Sequence, residues 1–459
     1  MLGIKLFAKK IRKIHFVGIG GIGMSGIAEV MYNMGFKITG SDIRETELTK
    51  RLENLGIKVF YGHKSSHVEG KDLIVYSSAV KGDNIELIEA QRLGIPCIPR
   101  AEMLSELMRL KAGIAVGGTH GKTTTTSMIA TIFERAELDP TIIIGGRLRS
   151  LKTNARLGSG DFLICEADES DKLFLKLTPI ISVITSIDDD HLDNYKDINE
   201  IKEAFTEFAN NVPFYGCTVI CADDENTRSI LDKIHRKYVT YGLKGDYDIT
   251  AKILEVGAKS IFEVKKGNKN LGEFILNLPG IHNIRNALAS IGVALEVGIT
   301  PEIIKDALKD FSGVHRRLEF IGEFNGVKVY DDYAHHPTEI MVTLESARMI
   351  HKGRIIVIFQ PHLFSRTVKL QDKFGRAFTL ADRTIVTKIY PAREKPMEGV
   401  TGEIIVQRAK ESGYSRIEYI EDFDDVVESV KNLVKPGDMV ITIGAGDVYK
   451  IARKLVGNE

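Results

Sequence analysis

The stretch from Gly117 to Thr126, which reads GGTHGKTTTT, constrains the fold of this 459-residue chain more than any other feature. It follows an apolar run at residues 113–116 that is typical of a strand, and it leads into residues 127–133, which are typical of a helix. A strand, a glycine-rich turn and a helix start form a phosphate cradle, because glycines let backbone N–H groups approach the anion and the helix N-terminus carries partial positive charge. This order predicts an ATP site.

Within this stretch, Lys122 is expected to contact the β- and γ-phosphates, and the Thr123 hydroxyl to bind Mg²⁺. The spacing is shorter than in the common P-loop, because Val116 stands where that motif has its first glycine. A solvated lysine in a Gly/Thr-rich loop is the alternative, but it leaves the order of strand, loop and helix unexplained. The other residues of the predicted nucleotide site are Gly118, Thr119, His120, Gly121 and Thr124.

Length and charge narrow the class of protein. A chain of 459 residues is too long for one core and suggests about three domains. With 62 basic and 62 acidic residues, no global field recruits nucleic acid. Membrane insertion is not expected, since no apolar run approaches ~20 residues, and the first residues lack the features of a signal peptide. Four cysteines in apolar surroundings predict free thiols and a cytoplasmic protein.

Residues 1–110 alternate strand and helix signals, which predicts a Rossmann-like domain with a parallel sheet. Gly18, Gly20 and Gly23 match G-x-G-x-x-G, and Asp42 follows at about the distance of a ribose-binding acid. The physics of this motif requires only a diphosphate on a helix N-terminus. A nicotinamide or flavin cofactor and a nucleotide-sugar diphosphate both remain open.

Two further domains are predicted from the same alternation. Residues 111–312 form the ATP-binding domain, with a helix expected at 225–236 and a hairpin-like insertion at 249–278. Residues 313–459 restart the pattern and predict another open sheet. The predicted fold is therefore α/β, with three domains that are each built on a mainly parallel sheet.

Polar residues at predicted strand ends supply the remaining candidates in the ATP domain. Glu166 follows the strand after the phosphate loop and His191 follows the next strand, so both are expected at one sheet edge, holding two Mg²⁺ ions. Asn283 and Asn286 share a helix face, and their amides suit an adenine or ribose edge. Acidic or polar surface loops, and a simple helix cap at Asn283, are the alternatives.

In the third domain, two polar clusters follow successive strands. One is the run of residues 331–337 (DDYAHHP), and the other contains His362 with Arg366 four residues later. Both are expected at the carboxyl edge of the sheet, although the residues alone leave their ligand open. Arg317, at the boundary of the domains, is expected either to clamp phosphate or to form interdomain ion pairs.

Taken together, these stretches resemble the Mur ligase family, and within it the members that add L-alanine. The N-terminal glycine motif and the His335-His336-Pro337 motif point to those members, whereas the phosphate loop is shared by all of them. The matching stretches are residues 18–28, 77–80, 118–124, 166–171, 190–193, 282–286, 315–317, 331–337 and 359–362.

The resemblance implies that ATP phosphorylates the lactyl carboxylate of UDP-N-acetylmuramate, and that L-alanine attacks the acyl phosphate. It implies catalytic roles for Lys122, Glu166, His191, Arg317, His336, His362 and Arg366, with metal ligands at Thr123, Glu166 and His191. The residues implied for the UDP-sugar are Gly20, Gly21, Gly23, Met24, Ser25, Asp42, Ser77 and Ser78. His336, His362 and Arg366 would position the muramoyl carboxylate or the alanine.

Two departures and three alternatives accompany this resemblance. Some ligases of the family use a carbamylated lysine near the metals; none is identified in this sequence, and residues 168–171 or His191 are expected to take that role. Relatives often carry an arginine after the histidine that matches His362, where this chain has Leu363, so that role is lost or moves to Arg366. A murein-tripeptide recycling ligase is the nearest alternative activity. An NAD-dependent dehydrogenase leaves the phosphate loop unexplained, and a non-catalytic nucleotide-binding regulator does not need the histidines at strand ends. The expected partners are small-molecule substrates, for a monomer or a homodimer.

Overall fold

The computed structural model describes residues 10–145, 154–189, 195–392 and 394–457, which contain three sheets flanked by helices. Each sheet is mainly parallel, which confirms the predicted α/β class. The strands are β1 (Lys13–Val17), β2 (Lys37–Asp42), β3 (Lys58–Tyr61), β4 (Leu73–Tyr76), β5 (Cys97–Pro99), β6 (Ala112–Gly117), β7 (Thr141–Ile143), β8 (Ala155–Arg156), β9 (Phe162–Glu166), β10 (Ile181–Ile184), β11 (Cys217–Cys221), β12 (Tyr238–Gly242), β13 (Ile249–Val256), β14 (Ser260–Lys266), β15 (Lys269–Leu276), β16 (Glu319–Phe324), β17 (Val327–Asp332), β18 (Ile355–Phe359), β19 (Arg383–Val386), β20 (Ile417–Tyr419) and β21 (Met439–Ile443).

Helices connect most of these strands. They are α1 (Ile22–Asn33), α2 (Glu47–Asn54), α3 (Ile85–Arg92), α4 (Arg100–Met108), α5 (Lys122–Arg135), α6 (Ile198–Asn210), α7 (Glu225–Arg228), α8 (Ile281–Val297), α9 (Pro301–Asp310), α10 (Pro337–Ile350), α11 (Phe364–Lys369), α12 (Gln371–Arg376), α13 (Glu403–Glu411), α14 (Phe423–Leu433) and α15 (Tyr449–Leu455).

The first sheet has the order β3-β2-β1-β4-β5, with all strands parallel. Side chains of β1 alternate between its faces, so that Ile14 and Phe16 join the main hydrophobic core while Val17 packs in a smaller cluster. The strand order reverses between β1 and β4, and ligands of open α/β sheets bind at such a reversal. The N-terminal glycine loop (residues 18–23) begins there, directly after β1.

The second sheet has ten strands in the order β15-β14-β13-β12-β11-β10-β6-β9-β7-β8. Strand β6 lies in its interior, parallel to β9 on one side and to β10 on the other. The carboxyl ends of these three strands, at Gly117, Glu166 and Ile184, therefore share one edge. Strands β13 to β15 form the predicted hairpin-like insertion at the border of the sheet.

The helix predicted over residues 225–236 is much shorter, and this part of the prediction is wrong. Helix α7 ends at Arg228 and is followed by a short 3₁₀ turn at Leu231–Lys233. Asn226 donates to the carbonyl of Ile187, in the segment after β10, and Thr227 donates to that of Cys221, the last residue of β11. These side-chain bonds to the backbone of other elements compete with continuation of the helix.

The third sheet has the order β16-β17-β21-β18-β19-β20, in which only the pair of β16 and β17 is antiparallel. The chain divides into two compact units. The first contains the first two sheets and extends to residue 312, apart from residues 255–260 and 278–282, which belong with the second unit and its third sheet.

Two further expectations concern cysteines and membranes. All four cysteines are free thiols; Cys97 is half-buried and the other three are buried. Within the described parts of the chain, no helix combines the length and the apolar character needed to cross a bilayer.

Candidate active site

The phosphate loop (residues 117–121) is held by the segment that follows β10. The backbone N–H of Thr119 donates to the carbonyl of Ser186 at 2.9 Å, and that of His120 to the Ser186 hydroxyl at 3.1 Å. In return, the N–H of Asp188 donates to the Thr119 hydroxyl at 2.8 Å. These bonds fix the loop before any nucleotide arrives, so its shape is a property of the folded chain.

Glycine is required at Gly118, where φ is +124°. A Cβ atom there would lie 2.1 Å from the Thr185 hydroxyl oxygen and 2.9 Å from the backbone nitrogens of Thr185 and Ser186. The backbone of Thr185 and Ser186 cannot move aside for this Cβ atom as a flexible side chain could. The close approach of the two segments at this point excludes every other residue.

Lys122, the first residue of α5, turns its ammonium back over the loop. Its Nζ donates to the carbonyls of Gly118 at 2.6 Å and Thr119 at 3.2 Å, and it lies 2.8 Å from Glu169 Oε1. Burial alone would lower the pKa of Lys122, but the Glu169 carboxylate outweighs it, so the pKa is raised and the ammonium stays charged. The site thus has a fixed cation at the start of a helix.

Thr123 and Glu166 form the candidate metal site. The Thr123 hydroxyl bonds to the Glu166 carboxylate, and Glu166 Oε1 also accepts the N–H of Gly145 at 2.9 Å. Burial raises the pKa of Glu166. Glu166 is half-buried. Mg²⁺ prefers oxygen ligands such as carboxylates, and it is commonly bound by one or two carboxylates together with substrate phosphates. These two residues fit the ion that the sequence predicts.

His191 lies outside the described residues. In the described part of the segment after β10, Asp188 Oδ2 lies 3.2 Å from His120 Nε2. The imidazole of the phosphate loop is thereby oriented by a carboxylate from the loop after β10. His120 was predicted only as part of the cradle, and this pairing gives its ring a fixed direction.

Asn286, on α8, lies against the phosphate loop. A Cβ atom at Gly121, where φ is +84°, would lie 2.5 Å from Asn286 Oδ1. Asn286 Nδ2 is 3.3 Å from Asn283 Oδ1, and both side chains are buried. The predicted pair therefore shares a face, as its spacing requires, and it meets the loop at the N-terminus of α5.

In the first sheet, the N-terminal glycine loop is held by the last two residues of β2. The carbonyl of Ser41 accepts the N–H groups of Gly18 at 2.8 Å and Ile19 at 3.0 Å, and Asp42 Oδ2 accepts that of Gly20 at 2.8 Å. Asp42, predicted as a ligand of the UDP-sugar, thus also shapes the loop.

The other residues predicted for the UDP-sugar differ in exposure. Ser77 packs beside Gly18, where an added Cβ would lie 3.1 Å from Ser77 Cβ, and Ser78 is exposed in the turn that follows. The side chain of Met24 is in the hydrophobic core, and the Ser25 hydroxyl donates to the carbonyl of Ile22 at 3.0 Å. Gly21 precedes α1 and its N–H donates to the carbonyl of Gly18 at 3.4 Å, whereas Gly23 lies in the first turn of α1, whose N–H groups have no partner within the helix.

Arg100 was not predicted from the sequence as a residue of this region. Arg100 follows β5 and approaches the N-terminal glycine loop, since a Cβ at Gly23 would lie 2.7 Å from an Arg100 guanidinium nitrogen. The same guanidinium is 3.1 Å from Asp168 Oδ2, in the loop after β9. Glu169, which follows Asp168, is the partner of Lys122. The position of Arg100 at a strand end was the available signal.

In the third sheet, the two predicted polar clusters converge. The His335 ring lies 5.7 Å from that of His362, which also stacks on Tyr390 at 5.7 Å between centroids. Arg366 Nη1 is 3.4 Å from His362 Nδ1. His336 has a different setting, because its Nδ1 accepts the N–H of Thr338 and caps α10. The ring beside His362 is thus that of His335.

Leu363, which directly follows His362, has a φ of +71°. A positive φ is strained for a leucine, and such strain persists where the surroundings enforce it. The N–H of Leu363 donates to the carbonyl of Tyr390 at 3.0 Å, and the N–H of Phe364 to Glu394 Oε2 at 2.6 Å. The turn aims Arg366 back toward His362.

The arginines at the start of the second unit have separate settings. Arg316 Nε donates to Asp331 Oδ2 at 2.8 Å, and its guanidinium stacks on Tyr333. Arg317 Nη1 lies 3.6 Å from Glu339 Oε1. Burial raises the pKa of Asp332 to about 6, although Arg317 opposes this. Glu339 also lies 3.4 Å from His335 Nδ1. Arg317 and His335 therefore share the Glu339 carboxylate.

Comparison with known proteins gives a consistent result. Three family models match, described as Mur ligase family catalytic domain (residues 13–112), Mur ligase middle domain (116–294) and Mur ligase glutamate ligase domain (316–446). The UDP-N-acetylmuramate–L-alanine ligase of Geotalea uraniireducens is 52% identical over 97% of this chain and 98% of that protein.

Solved structures agree with these matches. The UDP-N-acetylmuramate-alanine ligase of Thermotoga maritima is 33% identical, with a TM-score of 0.83 over 97% of this chain and 98% of that one. A murein peptide ligase of Psychrobacter arcticus is 26% identical, with a TM-score of 0.73 over the same shares of the two chains.

Proposed function

Because the chain belongs to the Mur ligase family, we propose that it joins L-alanine to the carboxylate of UDP-N-acetylmuramate at the expense of ATP, as a step in peptidoglycan precursor synthesis. The observation that carries this proposal is that two groups suited to phosphoryl transfer lie at one edge of the second sheet. They are the Lys122 ammonium over the phosphate loop and the oxygens of Thr123 and Glu166 beside it. The names of relatives about half identical to the chain supply the two substrates.

In the first half-reaction, a carboxylate oxygen of the muramoyl group attacks the γ-phosphorus of ATP, and ADP leaves. Lys122 neutralises charge on the transferring phosphoryl group, and the loop N–H groups hold the β-phosphate. Thr123 and Glu166 would hold Mg²⁺, which supplies further charge neutralisation; His191 remains a proposed ligand of a second ion. Asn283 and Asn286 are proposed to hold the adenosine.

In the second half-reaction, the amine nitrogen of L-alanine attacks the carbonyl carbon of the acyl phosphate. The bond from carbon to the phosphate oxygen breaks, phosphate leaves, and the amine loses a proton as the amide forms. His336, His362 and Arg366 are proposed to position the muramoyl carboxylate before it is phosphorylated, or the carboxylate of the incoming L-alanine. Arg317 is proposed to contact the phosphates. Excluding water matters here because an acyl phosphate hydrolyses.

Three domains serve three ligands in this proposal. The domain of residues 1–110 takes the UDP-sugar, that of 111–312 takes ATP, and that of 313–459 takes the amino acid. ATP and the UDP-sugar are cytoplasmic metabolites, so we place the activity in the cytoplasm.

The direct test is an ADP-release assay with ATP, Mg²⁺ and UDP-N-acetylmuramate against L-alanine, L-serine, glycine and the murein tripeptide. We expect release that depends on the UDP-sugar and is fastest with L-alanine. A preference for the tripeptide would favour the recycling ligase, and the absence of ADP with every amine would contradict the proposal. Reduction of NAD in place of ADP release would indicate the dehydrogenase.

Arg366→Ala tests the amino-acid site. The guanidinium is held 3.4 Å from His362, and an interaction with a carboxylate would make loss of the charge costly. We expect the KM of L-alanine or of UDP-N-acetylmuramate to rise roughly tenfold or more, with the KM of ATP unchanged. Arg376→Ala, which removes an exposed arginine of α12, is the matched control. Unchanged kinetics in Arg366→Ala would remove this residue from the site.

Arg100→Ala tests the approach of that guanidinium to the N-terminal glycine loop. A diphosphate at the start of α1 would lie within reach of it, so we expect the KM of UDP-N-acetylmuramate to rise roughly tenfold. Arg92→Ala removes another arginine of the same domain, which is exposed and paired with Glu89, and should leave every KM unchanged. Equal effects of the two variants would contradict a diphosphate contact.

A further inference from the structure

Three histidines surround one buried glutamate on the face of the first sheet that α3 covers. Glu86 Oε2 accepts the Ser41 hydroxyl at 2.6 Å and lies 2.8 Å from His63 Nδ1. Its Oε1 lies 2.6 Å from His67 Nδ1 and 3.5 Å from His15 Nε2. We refer to His15, His63, His67 and Glu86 as the imidazole–carboxylate cluster. Nothing in the proposed mechanism uses it.

The distances identify this cluster as a hydrogen-bonded network and not a metal site. Two ligands of a tetrahedral zinc ion lie about 3.3 Å apart, because each is about 2 Å from the metal. The closest nitrogen–oxygen pairs here, at 2.6 and 2.8 Å, have hydrogen-bond length instead. Lys71 adds positive charge nearby, which disfavours the binding of a cation. Burial lowers the pKa of His15, and the charge of Lys71 lowers it further.

The network keeps a buried carboxylate ionised. Burial by itself raises the pKa of Glu86, but the neighbouring His15, Ser41 and His67 side chains outweigh it, and the pKa falls to about 2. A buried anion is a strong acceptor, so its bond to the Ser41 hydroxyl is charge-assisted and short. Ser41 is completely buried and cannot exchange this partner for water.

Ser41 connects the cluster to the N-terminal glycine loop. Its hydroxyl is held by Glu86, while its carbonyl accepts the N–H groups of Gly18 and Ile19. The next residue, Asp42, holds the N–H of Gly20. Three consecutive N–H groups of the loop are therefore fixed by two residues of β2, and the first of these two is fixed by Glu86.

We propose that Glu86 is a positioning residue for the UDP-sugar: acting through Ser41, the imidazole–carboxylate cluster sets the N-terminal glycine loop in the shape that receives the diphosphate. This rests on the proposed function, since it takes the loop to be the UDP-sugar site. Fixing the first three N–H groups internally directs the following ones, at the start of α1, to the ligand. Glu86 itself does not touch the substrate.

Ser41→Ala breaks the link while leaving the cluster and the backbone composition in place. We expect the KM of UDP-N-acetylmuramate to rise roughly tenfold, as for loss of one charge-assisted hydrogen bond, with the KM values of ATP and L-alanine unchanged. Glu86→Gln should act in the same direction, and Ser41→Ala carries the test if that variant does not fold.

Thr39→Val is the matched control. Thr39 lies on the neighbouring position of the same face and bonds only the far side of the cluster, with its hydroxyl 2.9 Å from His15 Nδ1. The substitution preserves shape and removes one hydrogen bond. We expect a loss of thermal stability comparable to that of Ser41→Ala, without a change in any KM. The proposal would be overturned if Ser41→Ala and Thr39→Val lost the same thermal stability and neither changed any KM.

Calorimetric binding of UDP separates this inference from the proposed function. If the protein ligates no amine but binds UDP, and Ser41→Ala weakens that binding roughly tenfold, the positioning role stands and the ligase proposal fails. If the wild type and Ser41→Ala bind UDP equally, the positioning role is wrong whatever the activity. If the wild type binds no UDP, the loop is not a UDP site and the inference falls.

Discussion

Replacing Lys122 with alanine should reduce ADP release roughly a thousandfold or more, with all substrates present, while the protein remains folded. The Lys122 ammonium, at the start of α5, lies over the carbonyls of the phosphate loop, beside the N–H groups that would hold the phosphates. Transition-state charge on the phosphoryl group would then lack its principal counter-charge. The measurement is steady-state ADP release, with the folded state checked by circular dichroism.

Lys111→Ala is the control for this variant. Its ammonium is also held by two backbone carbonyls, those of Gly158 and Gly160, but on the opposite end of β6 from the phosphate loop. Its removal should lower thermal stability and leave turnover nearly intact. Substantial turnover in folded Lys122→Ala would contradict the ATP assignment.

Gly118→Ala should disrupt the phosphate loop by a different route. A positive φ costs a residue with a Cβ about 1–3 kcal/mol, and here the Cβ would also enter contacts of 2.1 and 2.9 Å. The loop must move away from β10 and carry its N–H groups out of line. We expect a lowered melting temperature and a fall in kcat/KM of roughly a hundredfold or more, because displacements of about 1 Å have effects of that order.

Gly298→Ala separates the two causes. Gly298 also has a positive φ, +90°, but an added Cβ there meets nothing within 4 Å. This variant should show the backbone strain alone, as a modest loss of stability with normal kinetics. If Gly118→Ala behaved like Gly298→Ala, the close approach of the loop to Thr185 would have no functional weight.

The sequence predicts those parts of the molecule in which residues that act together are also contiguous in the chain. Strand, glycine turn and helix are contiguous around Lys122, so the phosphate loop, the parallel sheets and the family were all predictable, and family and fold class are confirmed. The alternation of strands and helices also gave the positions of Glu166 and Asp42 at carboxyl edges.

Contacts between distant elements were not predictable in this way. Arg100 and Asp168 come from different sheets, and Glu86 meets its histidines only because β1, the segment after β3 and α3 fold onto one face. Each of these residues looks ordinary in its local sequence. The sequence also could not show which of His335 and His336 lies beside His362. That is decided by the N–H of Thr338, which donates to His336 Nδ1 so that His336 caps α10.

The ion pair of Lys122 and Glu169 has a consequence for how the protein discriminates among anions. A bare lysine in a ring of N–H groups would attract any small oxyanion from the cell, inorganic phosphate included. Here the Lys122 ammonium already pairs with Glu169 Oε1 at 2.8 Å, so an incoming anion must displace this carboxylate to bind the ammonium. We expect a nucleotide with several phosphates and a metal ion to displace Glu169, and a single orthophosphate to do so less readily, because it makes fewer contacts. We therefore expect Glu169 to disfavour the binding of single orthophosphate ions at Lys122, including the phosphate that the proposed reaction releases.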